Sequence, residues 1–150
     1  MFWANLMPML SKLLCCFLIL LAPQALANDY GSIVISRVTN VYDGDTFRVD
    51  IDQWPPLIGK NAPIRINNID TPELRAKCPY EKQLALLAKK FTQDKLQHAN
   101  VIELKNLNRG KYFRITADVF IDGESLAEEL LTAGFAKVYS GKTKKQSWCH

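Results

Sequence analysis

Asp43-Gly44-Asp45 separates two β-rich runs, and this short turn limits the possible folds more than any other feature of the chain. The run that ends with residues 38–42 and the alternating run over 46–51 should pair as a hairpin. Because alternate side chains of an extended backbone lie on the same side, Asp43 and Asp45 should face the same way. Considered alone, Asp-Gly favours an ordinary hairpin turn.

Two helices are predicted, the clearer one over residues 79–97. Four apolar residues recur there at 3.6-residue spacing: Leu84, Leu87, Ala88 and Phe91. Pro79 stands in the first turn, where proline is tolerated. A second, shorter helix begins near Ser125, because Ser125 and Glu128 form a capping box, and Gly134 is well placed to end it.

Strands are predicted on both sides of the long helix. Residues 63–69 precede it after a loop over 53–62, residues 100–107 and 112–121 follow it, and 135–139 can return as a short edge strand. The resulting order of three strands, a helix, two strands and a small helix matches a five-stranded, partly open barrel of the OB type, a mainly β member of the α+β class. Periodicity alone leaves a small α+β sheet as an alternative.

The first 27 residues have the pattern of an export signal. Lys12 is their only charged residue, and an apolar run over 13–22 precedes the small-residue site at 25–27. Membrane spans need about 20 apolar residues, so this run is too short. We therefore expect cleavage after Ala27, one domain over 28–150, and a periplasmic or secreted protein without stable membrane association. An uncleaved anchor is the alternative.

Cleavage would leave a mildly basic chain with two cysteines. It removes one lysine and no acid, leaving 18 basic and 15 acidic residues, a net charge of +3 that suits a polyanionic partner without identifying one. Lys142, Lys144 and Lys145 indicate a solvated tail. Cys78 and Cys149 form a natural pair in an exported chain, with unpaired thiols or bonds to another chain as alternatives. We expect a monomer.

Carboxylates and arginines in four separate places suggest a phosphate site that uses a metal ion. The Asp43-Gly44-Asp45 turn is followed by Arg65, by a second acidic turn at Asp70-Thr71-Pro72-Glu73, and by Arg114. Clustered carboxylates suit a hard cation with oxygen ligands, and arginines suit the phosphate beside it. Arg65 and Asp70 are five residues apart, so strict alternation would separate them unless a bulge or strand end intervenes near Asn67-Asn68.

The second acidic turn and the arginines also have simpler interpretations. Asp70 or Thr71 can cap a helix that begins at Pro72. Either arginine alone is more often a surface or packing residue. The four elements together, in this order, are what favours the functional interpretation.

In order and spacing these elements resemble the active site of the staphylococcal nuclease family, over residues 33–139. The resemblance implies an OB-type domain and a Ca²⁺-dependent phosphodiesterase that cuts DNA and RNA with little sequence preference. The implied products carry 5′-hydroxyl and 3′-phosphate ends. It implies Ca²⁺ ligands at Asp45, Asp70 and the carbonyl of Thr71, with Asp43 close by but outside the ligand set.

The same resemblance implies roles for the remaining matched residues. Glu73 would orient or deprotonate the attacking water, and Arg65 and Arg114 would clamp the phosphate. A carboxylate can take up the proton of the water, and a guanidinium offers paired donors to phosphate oxygens. Sequence alone does not decide whether Glu73 is a true base or only positions the water.

Substrate contacts are implied for Lys111 and Tyr112, and Tyr139 offers a stacking ring. The chain departs from the family at Phe113, which replaces the usual glycine before Arg114. A non-catalytic OB module that binds single strands or a protein, and a small secreted calcium-binding domain, are the alternatives. The chain retains all six matched site positions, which favours the enzyme.

Overall fold

A curled sheet forms most of the computed structural model, which describes residues 30–141 and 147–149. The expected signal segment, the three tail lysines and His150 lie outside the described residues. The described strands are β1 (Ile33–Val34), β2 (Arg37–Val41), β3 (Thr46–Asp50), β4 (Ala62–Ile66), β5 (Ile69–Asp70), β6 (Ile102–Arg109), β7 (Ile115–Ile121), β8 (Glu124–Ser125) and β9 (Lys137–Val138). The described helices are α1 (Pro56–Gly59), α2 (Pro79–Gln97), α3 (Leu126–Thr132) and a 3-10 turn (Lys111–Phe113).

The main sheet has the order β1-β6-β7-β4-β3-β2, with β8 paired to β7. Its pairs are antiparallel except β4 and β7, which run parallel with Arg65 opposite Thr116. Strands β5 and β9 form a separate two-stranded antiparallel sheet. The main sheet curls into a half-barrel, which confirms the predicted OB-type, mainly β fold.

The concave face of the sheet holds the core. Alternate residues of the strands point inward, so fully or almost fully buried side chains come from the four inner strands β3, β4, β6 and β7 and from α3: Phe47, Val49, Ile64, Ile66, Leu104, Val119, Leu126 and Leu130. Ser125 caps α3 as predicted, since its Oγ accepts from the Glu128 backbone N–H at 3.4 Å. Gly134 follows the helix with φ 75°, the left-handed conformation that suits glycine at a helix end.

Helix α2 begins and ends where the sequence predicted, but its buried residues are not the same as the four apolar residues of the sequence pattern. Leu87 is 50 % exposed, whereas Ala85, Ala88 and Thr92 are buried. The reason lies at Gly44, where an added Cβ would come within 2.9 Å of Ala88 Cβ. Helix and turn approach so closely that only small side chains fit between them. Within the described residues, no helix is both long enough and apolar enough to cross a membrane.

Two predicted strands are shorter than expected. The predicted strand over 63–69 divides into β4 and β5 at Asn67-Asn68, and Asn68 adopts a left-handed φ of 61°. The predicted strand over 112–121 begins only at Ile115, because Tyr112 and Phe113 also have positive φ and form a turn. The predicted loop over 53–62 contains α1 and the first residue of β4.

The structure contains the predicted disulfide between Cys78 and Cys149, with a Cα–Cα distance of 6.0 Å. Cys78 is the N-cap residue of α2, so the bond anchors the end of the chain to the start of this helix. Trp148 beside it is buried, and Lys137 Nζ lies 4.1 Å from the centre of its ring.

Reduction of this disulfide should destabilise the protein by about 4 kcal/mol, because the bond closes a long loop and restricts the unfolded chain. We expect the Cys78→Ser/Cys149→Ser variant to match the reduced wild type in equilibrium urea unfolding. Reductant should leave the double variant unchanged, which serves as the control. A loss below about 1 kcal/mol would contradict the loop-closure model for this bond.

Candidate active site

Arg65 joins the two acidic turns. Its Nη1 donates to Asp45 Oδ1, and its Nη2 lies 3.3 Å from Asp70 Oδ1 and 3.3 Å from the carbonyl oxygen of Ile69. The Arg65 side chain is 18 % exposed, while the side chains of Asp45 and Asp70 are 2 % and 9 % exposed. The break between β4 and β5 makes this contact possible, because the left-handed residue Asn68 interrupts the alternation that would separate Arg65 from Asp70.

Asp45 holds the first turn against the second. Its Oδ2 accepts from the Thr71 backbone N–H at 3.0 Å, and its Oδ1 also accepts from Thr46 Oγ1 at 2.9 Å. The Ile66 backbone N–H donates to the carbonyl of Asp45 at 2.9 Å. The carboxylate therefore has hydrogen-bond donors on both oxygens, and the predicted metal-binding residues Asp45, Asp70 and Thr71 all lie in one buried region.

Asp43 adds a third buried carboxyl group to this region. The Asp45 backbone N–H donates to Asp43 Oδ1 at 3.2 Å. Burial, and after it the negative charge of Asp45, raise the pKa of the Asp43 carboxyl to about 7. Two of these three buried acidic side chains, Asp45 and Asp70, contact the Arg65 guanidinium, and the third, Asp43, lies beside Asp45.

Glu73 follows on the exposed side of the second turn. Its backbone N–H donates to Glu81 Oε1 at 3.1 Å, and Glu81 belongs to the first turn of α2. The other oxygen, Glu81 Oε2, lies 3.4 Å from Cys149 Sγ. Glu73 is therefore attached to the helix at the position where the disulfide anchors the chain end. Sequence reasoning missed Glu81; its place as an acid in a first helical turn was the available signal.

Arg114 directly precedes β7, the strand that pairs with the strand of Arg65. It has extended backbone and precedes Thr116, the partner of Arg65 across β4 and β7, by two residues. Alternation back from Thr116 therefore places Arg114 on the face of the sheet that carries Arg65. The axes of neighbouring strands are about 5 Å apart. The Arg114 guanidinium lies 5.9 Å from the ring of Tyr112, and both Lys111 and Tyr112 are exposed on the turn before it.

Tyr139 comes near the acidic turns through the small sheet. Its backbone N–H donates to the carbonyl of Asn68 at 2.8 Å. In the same pairing Lys137 lies opposite Asp70. The backbone of Tyr139 is thus hydrogen-bonded to the break between β4 and β5, which brings Arg65 to Asp70. The side chain of Tyr139 is half-buried.

One further group resembles a metal site but cannot act as one. Within residues 30–141 and 147–149, Cys78, Glu81 and Cys149 are the only three acidic, imidazole or sulfur side chains close enough to share an ion. Both sulfurs are joined in the disulfide and so cannot bind metal as thiolates. An ion at the acidic turns would therefore need backbone oxygens or water as well as carboxylates.

The fold and this region together define a nuclease-like OB domain. A family model described as staphylococcal nuclease homologue matches residues 63–148, more than half of the chain. The chain belongs to the staphylococcal nuclease family. The match includes Arg65, the second acidic turn and Arg114, while the first acidic turn precedes it. A search of curated proteins found no match.

The raised pKa of Asp43 predicts a pH-dependent stability when divalent ions are chelated. The unfolded chain releases this proton near pH 3.8 and the folded protein retains it to about pH 7, so the free energy of unfolding should fall as pH rises through that window. Asp43→Asn should remove this decrease and be more stable than wild type above pH 7, measured by urea unfolding in EDTA.

The control for this experiment is Asp52→Asn, in the exposed turn after β3. A hydrogen bond from Lys60 lowers the pKa of Asp52, so its contribution is present above the unfolded pKa and is lost at low pH. This variant should lose a little stability at neutral pH and none at low pH. Parallel pH profiles for wild type and Asp43→Asn would contradict the assignment to Asp43.

Proposed function

We propose that the protein is an exported, Ca²⁺-dependent nuclease that hydrolyses phosphodiester bonds of both DNA and RNA. The observation that carries the proposal is the meeting of two buried acidic turns at Arg65 in a chain of this family. The family alone supports a nuclease-like domain. The metal, the range of substrates and the export are the parts that we add.

The cluster of buried acidic side chains supports a hard divalent cation. Asp45, Asp70 and the carbonyl of Thr71 would hold Ca²⁺, which takes oxygen ligands from carboxylates, carbonyls and water. When bound, Ca²⁺ would neutralise charge that develops on a phosphate oxygen. Buried carboxylates are costly to desolvate, so two of them that share one arginine, with Asp43 beside them, favour a site that receives a cation.

Arg65 and Arg114 would bind the phosphate. Their position on one face of neighbouring strands lets both guanidinium groups approach a phosphate from the same side. Arg65 would exchange its present contacts with Asp45 and Asp70 for phosphate oxygens. Both arginines stay charged at any working pH, which suits the extra negative charge of a five-coordinate transition state.

Glu73 would act on the attacking water. Its exposed position, three residues after the buried Asp70, lets it reach solvent at the edge of the acidic region. It would orient the water or accept its proton while the water oxygen bonds to phosphorus and the bond from phosphorus to the 5′ oxygen breaks. The leaving 5′ oxygen would take up a proton from solvent. Those events leave a 5′-hydroxyl and a 3′-phosphate.

The decisive experiment incubates the chain from residue 28 onward with plasmid DNA and with RNA under calcium, magnesium or EDTA. We expect cleavage of both substrates in calcium and none in EDTA. Glu73→Ala should lower kcat by about 10²–10⁴-fold, the usual contribution of a general base. Arg65→Lys and Arg114→Lys retain the charge but lose the paired donors, and each should also lower kcat/KM.

Arg48→Ala provides a matched control, because Arg48 is exposed on β3 and its Nη1 donates only to the Asn61 carbonyl among the contacts described. It should retain wild-type kcat/KM. Circular dichroism checks that each variant is folded. Full activity in Glu73→Ala, or binding of nucleic acid in calcium without any cleavage, would overturn the proposal, and the second result would favour a binding module.

The hydrogen bond from Glu73 to Glu81 yields a separate prediction. Loss of one such bond is worth about 1 kcal/mol, so Glu81→Ala should lower kcat about fivefold with little change in KM. Glu81→Gln retains an acceptor oxygen and should restore most of the activity. Equal losses in both variants, measured by initial rates at saturating substrate, would mean that Glu81 does not position Glu73.

A further inference from the structure

The turn between β6 and β7 exposes two aromatic side chains on an unfavourable backbone. Tyr112 and Phe113 have φ of 56° and 62°, and their side chains are 87 % and 73 % exposed. Bulky residues rarely adopt the left-handed region, and each such residue costs on the order of 1–3 kcal/mol. Exposed rings on strained backbone gain nothing from the core, so their presence here points to a use outside folding.

The backbone holds this turn in place. The Gly110 N–H donates to the carbonyl of Arg114 at 2.8 Å, and the Arg114 N–H donates to the carbonyl of Lys111 at 3.2 Å. An added Cβ at Gly110 would lie 2.8 Å from Thr116 Cγ2, so the turn packs directly on β7. Strand β7 therefore fixes the position of the turn and of the Phe113 ring. Arg114 directly precedes this strand.

Cationic groups surround the two rings. The Arg109 guanidinium lies 4.0 Å from the centre of the Phe113 ring, the distance of a stacked cation–π pair. Arg114 lies 5.9 Å from the Tyr112 ring, and Lys111 is exposed on the same turn. Arg109 supports Phe113 from one side, while the exposure of the ring leaves area for a second flat group. Aromatic rings among cations are the combination that single-stranded nucleic acids bind.

We propose that Phe113, supported by Arg109, is a stacking site for an unpaired base of the substrate strand. The inference rests on the proposed function for the position of the phosphate at Arg114. Arg109 lies opposite Ile115, so the ring that it supports is on the other side of the turn from Arg114. A strand whose phosphate contacts Arg114 would cross this turn and bring a neighbouring base to the Phe113 ring. A paired base presents only its edge, so the site selects single strands, frayed ends and RNA loops over continuous duplex.

Phe113 lies within the family match over residues 63–148 but is not one of the six matched site positions, and the resemblance implies a glycine there. The chain would thereby gain a preference for unpaired substrate that a glycine cannot provide. The expected ligand is chemically simple: any nucleobase, in DNA or RNA, because every base has a flat face.

The test measures binding of a fluorescein-labelled single-stranded oligonucleotide and of the matching duplex, both in EDTA so that cleavage is absent. Phe113→Gly should weaken single-strand binding about 5- to 100-fold and change duplex binding less than about twofold. Glycine relieves the positive φ, so this variant should fold at least as well as wild type. Phe113→Trp should retain binding, and its added fluorescence should be quenched by the single strand.

Phe120→Leu is the matched control, because Phe120 also has a cation beside its ring, with Lys105 Nζ 4.7 Å from the ring centre. Phe120 lies near the other end of β7, away from the turn. It should leave both affinities unchanged. Equal affinity of wild type and Phe113→Gly for the single strand would overturn the proposal, as would equal losses for single strand and duplex. Loss of binding to anionic phospholipid vesicles, with single-strand binding unchanged, would overturn it in favour of a membrane contact.

The binding assay also separates this proposal from the nuclease proposal. If wild type cleaves but Phe113→Gly binds and cleaves single strands equally well, the stacking site alone is wrong. If Phe113 governs single-strand binding but no cleavage occurs in calcium, the stacking site stands and the nuclease proposal fails.

Discussion

The ion pairs of Arg65 are the interaction on which the rest of the candidate site depends. One guanidinium contacts two buried carboxylates from turns that are 25 residues apart, and a third buried acid lies beside them. Such a group is costly to desolvate, and replacement by apolar residues would often be neutral or stabilising. Stability alone therefore does not explain the arrangement, which supports the proposed role of these groups in binding a cation and a phosphate.

Three backbone features bring these charges together, and each also serves the fold. Gly44 lets α2 approach the first turn, where Thr92 Oγ1 donates to the Gly44 carbonyl at 2.6 Å. Asn68 ends the strand alternation so that Asp70 meets Arg65. The parallel pairing of β4 and β7 sets Arg114 on the face of Arg65. Because packing and site share these contacts, the geometry of the site is fixed when the barrel forms.

The exposed part of the site is supported differently. Glu73 is attached through its backbone to Glu81, and Glu81 lies against the disulfide at the start of α2. On the other side, β9 pairs with β5 and carries the chain end past Asp70. A covalent bond and a two-residue strand pair thus restrain segments that have little apolar area of their own, which suits a small domain with a modest core.

The sequence by itself determined the two acidic turns, the bounds of α2 and the cap of α3. It also determined the cysteine pair and the OB-type order of elements. These features depend on local chemistry or on composition. It could not show that Leu87 is exposed, that Tyr112 and Phe113 form a strained turn, or that Glu81 holds Glu73. Those outcomes depend on contacts between segments that are distant in sequence. Gly44 packs against Ala88, Gly110 packs on β7, and the disulfide holds Cys149 beside the start of α2. Tertiary structure alone decides such approaches, because each is set by the packing of segments distant in sequence.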